Sequence, residues 1–176
     1  MNKIITRKRF LSVMAMGGTG AFLALQKNSQ AQTPSLPPGA PSAPPKPPPL
    51  DKELVEDFVI KGHFDLAGTK ALLEKEPGLL NSCWDWGGGD FETALEGAGH
   101  MGNKDIANFL LSKGARMNIF CAAMLGQLDV VKAILSAYPE LKTSKGPHGL
   151  QLLHHATKGG ADAAPVLEYL KSIGAQ

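Results

Sequence analysis

With 176 residues, 43% of them apolar and 19% charged, the chain has the length and composition of about one globular domain with short segments attached. Its formal charge of +2 rests on residues 1–31, which carry five basic and no acidic side chains; taking those five from the chain's 18 leaves 13 against 16 acidic, a balance of about −3 that excludes a basic nucleic-acid-binding face. Two cysteines, Cys83 and Cys121, are too few for a disulfide scaffold and lack the spacing of a four-ligand zinc site. They either pair in an oxidising compartment or sit as two small half-buried side chains.

The first element in chain order is a leader. Lys3, Arg7, Lys8 and Arg9 precede the mildly apolar run FLSVMAMGGTGAFLAL, too short and glycine-rich for a membrane span. Residues 1–31 therefore read as a signal peptide, with Ser29 and Ala31 at the −3 and −1 positions and a mature chain beginning at Gln32; an uncleaved anchor is the alternative. Thr6, Arg7, Phe10 and Leu11 resemble the twin-arginine export signal, with Lys8 in place of its second arginine, and ordinary secretion is the other route. Both routes predict a periplasmic or secreted protein that meets the membrane only if the signal segment is kept.

Residues 32–50 follow as a linker. From Thr33 to Pro48 the sequence TPSLPPGAPSAPPKPP can neither pair its backbone regularly nor bury a core, and predicts a polyproline-like spacer reaching on the order of 50 Å at about 3.1 Å per residue.

From Asp51 to the end, apolar residues recur at helical spacing, and the chain repeats itself. Anchored on Gly62, Gly102, Gly126 and Gly160, the residue seven earlier is Val55, Leu95, Ile119 or Leu153, and the residue four earlier is Phe58, Ala98, Ala122 or Ala156. Each glycine is expected to close a short helix. A second apolar helix is predicted behind each: DLAGTKALLEK, DIANFLLSK, DVVKAILSA and APVLEYLKS, the first three favoured at their amino ends by Asp65, Asp105 and Asp129 and the fourth by Pro165. Leu72, Leu73, Leu110, Leu111, Ile134, Leu135, Leu167 and Leu170 are the expected core of this second row.

A longer period is superimposed. ALLEKEPGLLNS matches AILSAYPELKTS with Pro77 and Pro139 62 residues apart, and LLSKGA matches YLKSIGA, so the first and third pairs end alike, as do the second and fourth. CWDWGGGDFE and KGPHG supply turn residues for hairpin tips after pairs one and three. GARMNIFCAAM, between pairs two and three, has almost no such loop, and the 24-residue spacing from Gly102 to Gly126 marks where a tip is missing.

These features resemble the ankyrin repeat family: LLHHA keeps Leu153, His154 and Ala156 of its Thr-Pro-Leu-His-x-Ala motif, Gly62-His63 and Gly102-Asn103 stand at its turn, and Gly114-Ala115 and Gly174-Ala175 at its close. The resemblance covers residues 52–176, although no repeat has the whole motif, the first is lengthened before Leu72 and the third lacks its hairpin. It implies an all-α, ankyrin-type helical-hairpin solenoid of about four repeats over residues 51–176, acting as a non-catalytic protein-interaction module. It also gives His154 an inward role, bonded to backbone between repeats, and turns His155 toward a concave groove.

The neighbouring His154 and His155 are about 100° apart on a helix and do not naturally share one metal ion. No His-Glu-x-x-His or Gly-x-Ser-x-Gly pattern occurs, and Gly87, Gly88 and Gly89 follow no strand signal and lack the lysine of a phosphate loop, so no cofactor, metal or catalytic residue is expected. The expected partner is a protein or peptide of the cell envelope. By the family register the groove positions are Asp57, Lys61, His100, Met101, Met124, His155 and Lys158, and Trp84, Asp85, Trp86 and Phe91 occupy the long first tip. The two tryptophans there either meet a partner or pack locally over the glycines. Two rivals remain: a small envelope hydrolase or metal-dependent enzyme using His100, His148 and His155, and an immunity or chaperone-like envelope protein using the same binding surface.

Overall fold

The computed structural model describes residues 46–175; the expected signal peptide and the expected linker up to Pro45 lie outside the described residues. Among the described residues the fold is all-α apart from one small hairpin, and no helix is long and apolar enough to cross a membrane. The eight α-helices form four pairs: α1 (Lys52–Phe64) with α2 (Leu66–Lys75), α3 (Ala94–Met101) with α4 (Lys104–Ser112), α5 (Ile119–Met124) with α6 (Leu128–Ala137), and α7 (Leu152–Lys158) with α8 (Ala164–Ser172).

Local sequence sets the helix starts. Asp51 accepts a hydrogen bond from the Leu54 N–H to open α1, and Asp65 accepts from Gly68 to open α2. Thr93 and Glu96 form a reciprocal capping box on α3. For α4 the cap is Asn103 rather than Asp105, which sits in the first turn, and α6 starts without a side-chain cap. Pro165 lies in the first turn of α8.

The first helices pack in succession, α1 on α3, α3 on α5 and α5 on α7, with α3 also reaching α7 directly, and each second helix packs on its own partner. The predicted leucine-rich set divides between two core clusters: Leu73 and Leu110 are buried in the first and Leu135 and Leu170 in the second, with Leu72, Leu111, Ile134 and Leu167 packed against them. Burying a side chain of this size contributes roughly 1.5–3 kcal/mol, which is what holds helices this short in place.

The longer period has a structural counterpart. Pro77–Asn81 and Pro139–Thr143 are matching 3₁₀ turns after α2 and α6. Gly114 and Gly174 both adopt positive φ, and the amides of Ala115 and Ala175 bond back to Leu110 and Leu170.

One anchor differs from expectation. Gly62 lies inside α1, which runs on to Phe64, and a Cβ there would come within 2.6 Å of Ala94. Gly62 is needed for close approach of α1 to the start of α3 and does not close the helix. The register of the first repeat is therefore shifted by three, and Gly62-His63-Phe64 at the end of α1 corresponds to Gly99-His100-Met101 at the end of α3.

Two loops rise from the row. The first is an antiparallel hairpin of β1 (Cys83–Asp85) and β2 (Phe91–Thr93), with Trp84 opposite Glu92, closed by Gly87, Gly88 and Gly89 at positive φ. The second spans Lys145 to Gln151 and is closed by a single antiparallel bridge between those residues. The join between α4 and α5 carries no hairpin; the Arg116 amide bonds instead to the Asn81 side chain, and Asn118 caps α5. The two loops meet across the gap this leaves: Asp90 accepts the backbone N–H of His148 at 2.9 Å and contacts its Nδ1 at 3.0 Å.

Candidate functional site

The expected binding residues separate into three groups. On the surface, Phe91 and Met101 are 57% and 48% exposed, Lys158 is exposed, and Asp57 and Lys61 are half-buried and paired with each other. The first loop uses most of its expected residues on itself: Asp85 accepts the amides of Gly87 and Gly89, and Trp84 is half-buried against the first core cluster. Two assignments to the groove are corrected outright. Met124 is fully buried in the first core cluster because the short α5 is enclosed between α3 and α7. His155 is 1% exposed, donates from Nδ1 to the Gln151 carbonyl and lies against the Phe120 ring.

His154 reaches the His100 carbonyl with Nε2 at 3.0 Å, 54 residues away, a bond from the fourth helix pair to the second. Cys83 is exposed and Cys121 buried, and both are free thiols; burial, with Glu96 nearby, pushes Cys121 up to about 12.

His100 leads to a cluster of titratable side chains. It is 7% exposed at the end of α3, and its Nε2 lies 2.8 Å from Oε1 of Glu92. Glu92, on β2, is fully buried. His63, from α1, and His148, from the second loop, each place Nε2 3.3 Å from the other carboxylate oxygen, Oε2. That same oxygen accepts the Trp86 indole N–H at 2.7 Å. The rings of His63 and His148 stand edge-on to His100, with centroids 4.8 and 5.2 Å from it, and Trp86 packs against both.

The backbone makes room for this convergence. Gly97 lies beneath the His63 ring, where a Cβ would come within 2.8 Å of it. His148 has φ 58°, the one non-glycine residue at positive φ among the described residues, and is held there by both oxygens of Asp90.

Electrostatics follow from the crowding. Burial alone would raise the Glu92 carboxyl, but His100, His63 and Trp86 outweigh it and hold the group well below the usual carboxylate range. Burial opposes charge on His63, yet Glu92 and the Val59 carbonyl together raise it above its ordinary value. Tautomers are fixed in part: His63 Nδ1 lies 2.8 Å from the Val59 carbonyl, which can only accept, so Nδ1 carries the proton. Glu92 Oε1 and His100 Nε2, although 2.8 Å apart, lack the alignment of a hydrogen bond and are both buried without one.

The four side chains able to hold a cation are thus His63, Glu92, His100 and His148, whose ligating atoms all lie within 4.8 Å of one another. Of these, only His100 was among the expected site residues, and His148 belonged to the enzyme rival together with His155, which the fold buries elsewhere. The overlooked signal is the recurrence of Gly-His-apolar at Gly62-His63-Phe64 and Gly99-His100-Met101, which puts two imidazoles at equivalent ends of adjacent helices. Set against models of known families, curated protein sequences and solved structures, the chain matches none of them.

Proposed function

We propose that the chain is an exported ankyrin-type repeat protein that acts as a non-catalytic binding module in the cell envelope. The scaffold reading is supported by four helix pairs whose first helices pack in succession, loops inserted between α2 and α3 and between α6 and α7, and the His154 bond to the backbone of another pair. Export rests on the sequence of residues 1–31, and the acidic balance of the remainder speaks for a protein or peptide ligand over nucleic acid.

The observation that carries the binding reading is where exposed apolar side chains fall. Phe64 at 67%, Phe91 at 57% and Met101 at 48% each adjoin a member of the buried cluster, following His63, preceding Glu92 and following His100. Phe64 and Met101 line one shallow cavity together with His63 and Lys158. Exposed apolar side chains that share a cavity, as Phe64 and Met101 do, are characteristic of an interaction surface.

The test is affinity capture from envelope extract with the tagged full-length chain beside its Phe64→Ser, Phe91→Ser double variant. A protein retained by the first and lost by the second supports the module; equal retention by both, or retention by neither, removes it. Trp84 and Trp86 are the wrong side chains to change, since one packs on the core and the other holds Glu92.

The hydrolase reading keeps a specific observation in its favour, the convergence of His100 and His148, with His63 in place of His155. It requires a hydrolytic activity of the purified chain that chelation abolishes.

A further inference from the structure

We infer that His63, Glu92, His100 and His148 form a mononuclear site for a divalent first-row transition-metal ion of the zinc class, which ties the two loops to the ends of α1 and α3. This goes beyond the binding-module reading and does not depend on it.

The donor set is the first argument. Three imidazole nitrogens and one carboxylate, with no thiolate, suit a borderline ion such as zinc; calcium and magnesium demand oxygen donors. The ligating atoms lie within 4.8 Å of one another. In a tetrahedral site with bonds of about 2.0–2.1 Å, ligand atoms stand about 3.3 Å apart, so closure needs movements of under about 1 Å per side chain.

A second argument comes from the atoms left over. Glu92 Oε1 and His100 Nε2 are buried and face each other at 2.8 Å without a well-aligned hydrogen bond. Buried polar groups in native folds are nearly always paired, and an ion between these two would satisfy both at once.

The surroundings supply a third. A ligating histidine ordinarily donates its other ring N–H to a carbonyl or carboxylate, which fixes the ring and leaves a lone pair for the metal. His63 does this to the Val59 carbonyl and His148 pairs its Nδ1 with Asp90, so that both Nε2 atoms point at Glu92. Trp86 fixes the Oε2 side of the carboxylate, and Oε1 faces His100 Nε2. His154 and His155 stand outside this group: the first reaches the His100 carbonyl and the second is sealed into the core against Phe120.

The experiment uses the purified full-length chain, stripped with EDTA and exchanged into metal-free buffer. It is titrated with Zn²⁺, and separately with Co²⁺, Ni²⁺, Cu²⁺ and Mn²⁺, against a chromophoric chelator, with bound metal counted by mass spectrometry. One equivalent is expected, with visible bands from the Co²⁺ form, a loss of affinity of about 100-fold or more in His63→Ala and His148→Ala, and a loss of about 10–100-fold in Asp90→Asn. Circular dichroism checks that each variant is folded; His148 lies on a loop with its side chain 34% exposed, so its variant decides the matter should His63→Ala fail to fold. Binding of less than about a tenth of an equivalent of all five ions, or one equivalent whose affinity His148→Ala leaves unchanged, would overturn the proposal.

Discussion

His154 and His155 are adjacent in the chain and share a helix, whereas His63, His100 and His148 are spread over 85 residues and share a carboxylate. The adjacent pair is structural: one ring reaches a carbonyl in another repeat and the other is sealed into the core. The scattered set meets because three elements deliver it to one point. On a helix, neighbours in sequence diverge by about 100°, while equivalent positions on stacked helices converge, so clustering in a repeat protein is to be sought at the repeat spacing.

The sharpest way to break this contrast is to remove the group the scattered set surrounds. Glu92→Leu strands three imidazoles and the Trp86 N–H around an apolar side chain, and is expected to cost about 3 kcal/mol or more in metal-free buffer, read by urea unfolding. A cost below about 1 kcal/mol would mean that the cluster is not organised by that carboxylate.

The next effect belongs to the other pair. Burial, chiefly, with the nearby His154 and His100 also opposing charge, lowers His155 to about 4 from its ordinary 6.5. The folded state therefore refuses a proton that the unfolded state accepts between those values. The associated stability is full above pH 6.5 and drains as pH falls toward 4, amounting to about 2 kcal/mol by pH 5. Urea unfolding at pH 7 and pH 5 should show that loss in the parent chain, and His155→Gln should flatten it.

His154→Ala removes one hydrogen bond between repeats and is expected to cost about 1 kcal/mol, with faster amide exchange at the end of α3. The smallest effect separates surface from site. Phe64→Ser with Phe91→Ser should change stability by no more than about 0.5 kcal/mol per position, since both side chains are exposed, while removing partner capture.

Much of the fold was legible because core positions, turn prolines and closing glycines each impose a local rule. All eight predicted apolar residues of the second helices join the core, and the turns after Pro77 and Pro139 do match. Gly62 misled because a missing Cβ serves close packing as readily as helix closure, and spacing alone does not distinguish them. Met124 and His155 misled for a related reason: α5 and α7 are so short that positions expected to face a groove are covered by neighbouring helices. The cluster was invisible to motif reading, since a motif lists neighbours along the chain and no two of these ligands are closer than Glu92 and His100, which stand eight positions apart.

The missing hairpin between α4 and α5 has a consequence for how the molecule is completed. Contact between Asp90 and His148 joins residues 58 apart, over the place where an intervening loop would have stood. A chain made from its amino end can stack its first two helix pairs before His148 has emerged, yet it cannot finish the cluster until the residues beyond α6 have followed. Long-range closures of this kind are made late, after the local contacts that shorten them. The short join between α4 and α5 thus makes completion of the cluster conditional on helix pairs that already stand in order.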